Sequence, residues 1–453
     1  MNTDFITTDF MLGNDFGREL YHKYASGAPI VDFHNHLDVN DILEDRKHSN
    51  IAELWVCADK YKHRAMRIAG ISERLITVKA PAKEKFQAWC GLMPYTMFNP
   101  LFHWSCLEMK NIFGIDEVPS KDNWEEIWEA CNTKLSTDDF STNSILRRMN
   151  VKSLTTSNDA MEDVSVHSRA SRKSSMCVAP SLRADSIVDF KLTGAPDSLD
   201  EYLELVKSRL DSFAGNGCRL SDHALDNGFF YARTSRQEAD GLYARLTNGG
   251  AIGKTELLRL KSFMLDFLAR EYARRAWVMQ LHIGAERWTS TRLRRISGPA
   301  GGYAGIGNSC CLRAVCDFLD GLDADGLMPK TILYTLNPSD NAMLATLTGS
   351  FSESGVQKLQ FGPAWWYNDH ECGIRDNLDA LGSYSLMSMS LGMTTDSRTI
   401  LSFSRHDYFR RILCDYIGNR VERGGLPADI EFLGGVVTGI SYKNADKWIY
   451  GNE

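Results

Sequence analysis

Apolar and polar positions along the chain fall into two recurring patterns. Short apolar, often β-branched runs closing on polar residues occur at 31–36 (VDFHNH), 151–157 (VKSLTTS), 177–183 (CVAPSLR), 217–223 (GCRLSDH) and 277–284 (WVMQLHIG). Three more follow at 330–337 (KTILYTLN), 357–365 (QKLQFGPAW) and 391–398 (LGMTTDSR). Runs of this length read as buried strands. Between most of them apolar residues return at three- and four-residue steps, as at 198–213, where Leu203, Val206, Leu210 and Phe213 share a helical face; 256–275, 311–322 and 405–421 repeat the pattern.

Eight strands alternating with helices predict an α/β fold, a distorted (β/α)8 TIM-type barrel. About 115 residues separate His36 from Val151, and much of that interval reads helical and aromatic-rich. The expected division is therefore a barrel formed by 1–37 and 150–453 and a mostly helical insertion, 38–149, near the active site. No unit of 20 to 50 residues repeats.

A chain of 453 residues suits one large barrel carrying such an insertion. Its formal net charge of −7 gives no broad attraction to phosphate backbones or anionic lipid, so a small-molecule partner is expected rather than nucleic acid or membrane. The first twenty residues carry acids where a signal peptide needs a basic stretch and an apolar core. The eleven cysteines are odd in number and free of CxxC spacing, with Cys177 and Cys218 in apolar runs. Reduced, mostly buried thiols in a cytoplasmic protein are the expectation, with homo-oligomerisation possible but tied to no residue.

Active sites of such barrels gather at the carboxyl ends of the strands. His34 and His36 are two residues apart, so in a strand they project from one face and can hold one metal ion. Taken alone the triplet is more often two solvated rings. His223 and His282 close the fourth and fifth runs, however, and Asp396 closes the eighth beside Arg398. Imidazoles plus a carboxylate suit a divalent transition metal, zinc foremost. Arg183, Arg287 and Arg398 at similar places would offer an anionic substrate forked donors, and Trp365-Trp366 could cover a sugar ring or pack beneath a loop.

The blocks DFHNHL, KYKHRAMR, NPLFHW, RLSDHALD, VMQLHIGAER, KTILYTLNPSDN, LQFGPAWWYND, GMTTDSR and SRHDYFRRILCDYIG run in order along nearly the whole chain. In this it resembles uronate isomerase, also called glucuronate isomerase, of the amidohydrolase superfamily. The resemblance implies interconversion of D-glucuronate with D-fructuronate and of D-galacturonate with D-tagaturonate. It also implies a metal site of His34, His36 and Asp396 with His282 near the ion, and substrate or catalytic positions at Tyr61, Arg183, Asp222, Arg287, Trp365 and Arg398. Among these, Tyr61, Asp396, Arg398 and Asp222 are taken as catalytic; Lys60, Arg183, Arg287, Trp365 and His223 are taken as substrate-binding. Moving a carbonyl from C1 to C2 needs a proton to pass between those carbons through an enediolate, hence one shuttling base and one oxyanion stabiliser, with no nucleotide cofactor.

The chain departs from the family at several blocks. DHYKWR is here DKYKHR, which puts Lys60 where a substrate-facing histidine stands and His63 where a tryptophan stands. Cys106 replaces a histidine, TTDDP becomes TTSND at 155–159, and the loop 298–308, GPAGGYAGIGN, lacks two acids. Two other readings follow: a metal-dependent hydrolase of the same superfamily, and an impaired homologue that binds uronate without turning it over. Against the hydrolase, the sixth run ends at Asn337 without a histidine, and the fourth offers no lysine to bridge two metals.

Overall fold

The computed structural model describes residues 5–226, 228–299, 301–353 and 355–451. Seven strands form one sheet: β1 (Ile30–Asn35), β2 (Val151–Asp159), β3 (Cys177–Arg183), β4 (Leu220–Leu225), β5 (Val278–Ile283), β6 (Thr331–Thr335) and β7 (Leu359–Phe361). They lie side by side in sequence order, and every neighbouring pair is parallel. A parallel sheet is covered on both faces, which is why β1, β5 and β6 are buried at every position, the polar Asp32, His34, Gln280 and His282 included. On one face Leu220, Val278, Ile332, Tyr334 and Trp365 pack together. On the other, Met279, Leu281 and Leu333 pack against apolar residues of the helices Leu199–Gly215, Lys254–Arg274 and Leu312–Ala324.

Among the described residues the eighth expected run, 391–398, forms no strand. It lies along β1 through two backbone bonds, Asp396 N–H to His34 O (2.9 Å) and His36 N–H to Ser397 O (2.7 Å). Gly392 (φ 77°) and Asp396 (φ 47°) both have positive φ, which an extended strand cannot contain. Gly392 is required by close approach as well, since a Cβ there would stand 2.1 Å from the Ile440 carbonyl oxygen. β1 is irregular too. Its register against β2 shifts between Ile30 and Val31 and again between Asp32 and Asn35, and the strand ends one residue before His36. The shared face of His34 and His36 therefore comes from the chain's path past the strand end, not from simple alternation.

Residues 38–149 contain helices and turns and no strand. The longer helices are Ala82–Leu92, Pro100–Phe113 and Trp124–Leu135, and the short helix Lys60–Ile68 reaches the site. Starts are marked in the sequence: Asn99 caps Pro100–Phe113 with proline at its first position, and the Asp59 side chain accepts from Tyr61 N and Lys62 N. This segment has no core of its own. Trp55, Phe86, Trp89 and Leu107 share one apolar cluster with Ile30 and Val151 of the sheet and with Phe409 and Ile412 of the helix Ser404–Glu422.

All eleven cysteines are free thiols; Cys218 is buried as expected, whereas Cys177, the first residue of β3, is exposed. None of the described helices is long and apolar enough to cross a membrane.

Candidate active site

The carboxyl ends of β1 and β5, with the segment 391–398 alongside β1, bring four of the sequence-predicted side chains together. Asp396 Oδ1 lies 3.0 Å from His36 Nε2 and 3.4 Å from His34 Nε2, and the His34 and His282 ring centroids are 4.4 Å apart. The other Asp396 oxygen accepts from Trp365 Nε1 at 2.7 Å. Trp365 is itself buried and its ring lies 4.8 Å from that of His282, so the tryptophan braces the acid and the imidazole. Asp396 holds its positive φ while its amide is tied to His34 O, a constrained backbone that aims the carboxylate at the histidines.

Four atoms in this cluster are buried without a hydrogen-bond partner among the described residues: His34 Nδ1, both ring nitrogens of His282, and Asp396 Oδ1. Leaving such atoms unsatisfied costs about 1–3 kcal/mol each. A cation held here would satisfy Asp396 Oδ1 and one nitrogen of each imidazole, since each ring can turn only one lone pair toward a given ion. Two ligand sets of suitable size share His34: His34, His36 and Asp396, and His34, Asp222 and His282. Burial pushes the His36 imidazole down to about 4 against the pull of Asp396, so this ring is a neutral donor at physiological pH. Burial opposes ionisation of Asp396, but the adjacent His34 and His36 hold it well below the usual carboxylate range.

Asp222 is completely buried, and its oxygens accept from Ser181 Oγ (2.7 Å), Ser157 Oγ (2.8 Å) and Arg183 Nη1 (3.0 Å). Arg183 is fixed in addition by Asp185, whose Oδ2 lies 2.6 Å from its Nε. His223, the next residue in β4, turns from Asp222 toward the Tyr272 ring, 5.7 Å away, and its Nε2 finds no partner among the described residues. Arg287 donates to Asp226 (2.7 Å) and lies over Trp366 at 4.9 Å. Arg398 makes no hydrogen bond or ion pair among the described residues and is exposed toward the site. A cavity of about 250 Å³ is lined by His34, His282, Arg183, Arg287, Asp396 and Arg398. An adjoining space, sharing Arg287 and Arg398, is walled by Lys60 and Tyr61. Burial and the nearby Arg398 charge both lower the Lys60 ammonium's pKa.

Two carboxylates at the site escaped sequence reasoning. Asp369, in the loop after β7, lies 3.0 and 3.1 Å from Tyr61 Oη through its two oxygens and 3.3 Å from Arg405 Nη1. Burial pushes it up to about 6 although Arg405 and the Tyr61 hydroxyl pull it down. Asp32 in β1 meets His406 Nε2 at 2.9 Å and accepts from Thr395 N at 2.9 Å, which fixes the residue next to Asp396. Both stand in blocks singled out above, WWYND and DFHNHL, yet only the folded chain shows their partners.

Comparison with known proteins bears on the same assembly. A family model described as glucuronate isomerase matches residues 1–449. A uronate isomerase of Caldanaerobacter subterraneus is 41% identical over 98% of this chain and 99% of its own, and one of Bacillus licheniformis is 39% identical over 97% and 96%. Among solved structures, uronate isomerase of Thermotoga maritima superposes with a TM-score of 0.91 at 30% identity, covering 98% of this chain and 99% of that one. Glucuronate isomerase of Caulobacter crescentus superposes with a TM-score of 0.90 at 22% identity, over 99% and 97%, a likeness of fold. Since the match runs from residue 1 to 449, through every segment that supplies the His34–His36–Asp396 cluster and its arginines, the chain belongs to the glucuronate isomerase family.

Proposed function

We propose that this chain isomerises hexuronates, converting D-glucuronate to D-fructuronate and D-galacturonate to D-tagaturonate. The observation that carries the reading is one cavity in which a histidine–aspartate cluster faces Arg183, Arg287 and Arg398, in a chain 41% identical to a uronate isomerase. A substrate carboxylate needs fixed cations, and guanidinium forks supply them with Lys60 alongside. In this reading the carboxylate Asp396, ionised and presenting Oδ1 to the cluster, would accept the C2 proton, and the cation Arg398 two residues on would neutralise the enediolate oxygen. The oxygens of Asp222 are engaged by two serines and Arg183, so its part in this reading is to hold Arg183.

His34, His36 and Asp396, with His282 beside them, would hold a divalent cation, zinc foremost for this donor set, which would supply Lewis-acid polarisation of a substrate oxygen. In the same reading, 391–398 closes the seven-stranded sheet against β1 into a distorted eight-part barrel, and 38–149 serves as a helical cap contributing Lys60 and Tyr61. Incubating metal-supplied protein with D-glucuronate or D-galacturonate and assaying the keturonate tests it. Keturonate is the expected product, and its absence with both substrates rejects the reading.

A further inference from the structure

The Tyr61 hydroxyl turns its proton away from the cavity it lines. Its oxygen lies 3.0 and 3.1 Å from the two oxygens of Asp369, and the Tyr367 amide donates to it at 3.3 Å. A phenol has one proton and two acceptor sites. With the proton on Asp369 and one acceptor site on Tyr367 N–H, a single acceptor site remains for a ligand beside Lys60 and Arg398. Asp369 is buried behind Tyr61, held by Arg405, which donates also to Thr395 O (3.4 Å) and lies 4.2 Å over the Trp104 ring.

We propose that Asp369 is a positioning and proton-accepting residue for Tyr61, so that the pair, and not the phenol alone, takes the proton of a substrate hydroxyl; the proposal rests on the uronate isomerase reading. As the substrate O–H bond breaks, an O–H bond forms on the Tyr61 oxygen, and the proton Tyr61 carried moves to an Asp369 oxygen. The negative charge leaves Asp369 and arrives on the substrate oxygen, where Lys60 and Arg398 line the cavity. Delivery of the Tyr61 proton to the oxygen that was the substrate carbonyl, as the Asp369 proton passes back to Tyr61, restores the pair and leaves the new carbonyl where the hydroxyl stood. No free phenolate is needed, and burial together with the Asp369 charge holds Tyr61 well above the ordinary phenol range. Asp369, raised to about 6, is ionised at neutral pH yet close enough to it to accept a proton. The charged or titratable groups facing Asp369 are Tyr61, Arg405, Tyr367, Tyr408 and, farther off, Asp396; Asp59 and Glu108 act on it through Arg405.

The test is kcat and KM of the metal-loaded enzyme with D-glucuronate across acid and neutral pH. Below about 6 the wild type should lose rate as Asp369 takes a proton from solvent. Asp369→Asn should lower kcat about 10²- to 10³-fold with little change in KM and remove that acid limb. Asp369→Glu should restore part of the rate and the limb, and Tyr61→Phe should lose the limb as Asp369→Asn does. The double variant should be no slower than the slower single one, because both substitutions break one relay. Tyr61→Phe decides the matter if Asp369→Asn does not fold. Either single variant keeping the wild-type acid limb overturns the proposal while leaving the isomerase reading intact. A wild type that turns over neither uronate overturns both.

Discussion

At the scale of single residues, reactivity here is set by which lone pairs are already taken. Asp396 gives one oxygen to Trp365 and keeps the other at the histidines, whereas the oxygens of Asp222 are engaged by Ser157, Ser181 and Arg183. The two acids looked alike in the sequence, since each closes a strand-like run. Asp396→Asn should therefore reduce both bound metal, read by elemental analysis, and kcat, by about 10²-fold or more. Lys60 ends in the cavity, so Lys60→Met is expected to raise KM for uronate about tenfold with a smaller change in kcat, the signature of a lost charged contact to bound substrate. His34, His36, His282 and Asp396 were legible because residue type and position at a strand end are local facts. Asp369 was not, because its partner Tyr61 lies 308 positions away and nothing local marks the pair.

At the scale of elements, the helix Lys60–Ile68 is held in place by its own cap, Asp59, and by the loop 298–308, in which Ala300 lies outside the described residues. Arg64 donates to Ala304 O (3.1 Å), Arg67 to Gly301 O, and Tyr367 Oη to Ala304 O (2.8 Å). The loop comes so near the helix that a Cβ on Gly302, at φ 77°, would stand 2.4 Å from the Lys60 carbonyl oxygen. Gly302→Ala should push the loop from the helix and disturb Lys60 and Tyr61. The expected result is a higher KM and a stability loss of at least about 1 kcal/mol, read by steady-state kinetics and thermal denaturation. The first seven strands followed from apolar runs in the sequence. The eighth run did not become a strand because Gly392 and Asp396 adopt positive φ, conformations imposed by the approach of Ile440 and by the bonds to β1.

For the whole molecule, the site ties the chain's beginning to its end: His34 and His36 meet Asp396, and Asp32 meets His406. An ion that binds only this folded arrangement stabilises it by mass action, about 2.7 kcal/mol when present at a hundredfold excess over its Kd. Chelation should accordingly lower Tm as well as activity, and zinc addition should restore both. Acid should destabilise the fold in a defined direction. Burial opposes the Asp222 charge, but Arg183 holds the carboxyl well below its ordinary range, so the folded pKa is depressed. The stabilisation is fully present above about 4, the unfolded value, and is lost as pH falls toward the folded one. Asp222→Asn should remove that dependence and cost about 1–3 kcal/mol, because Arg183 keeps Asp185 but loses its charged bond to the fully buried acceptor, as denaturant unfolding at neutral and acid pH would show. The sequence by itself determined the alternation of strands and helices, the helical character of 38–149 and the chemical types gathered at the strand ends, because periodicity and residue identity are properties of short stretches. The tertiary structure alone decided that seven strands form one sheet, that the helical segment shares its core with that sheet, and which oxygens stay open to a ligand. Those outcomes depend on partners supplied by distant parts of the chain, and only packing brings such partners within hydrogen-bond reach.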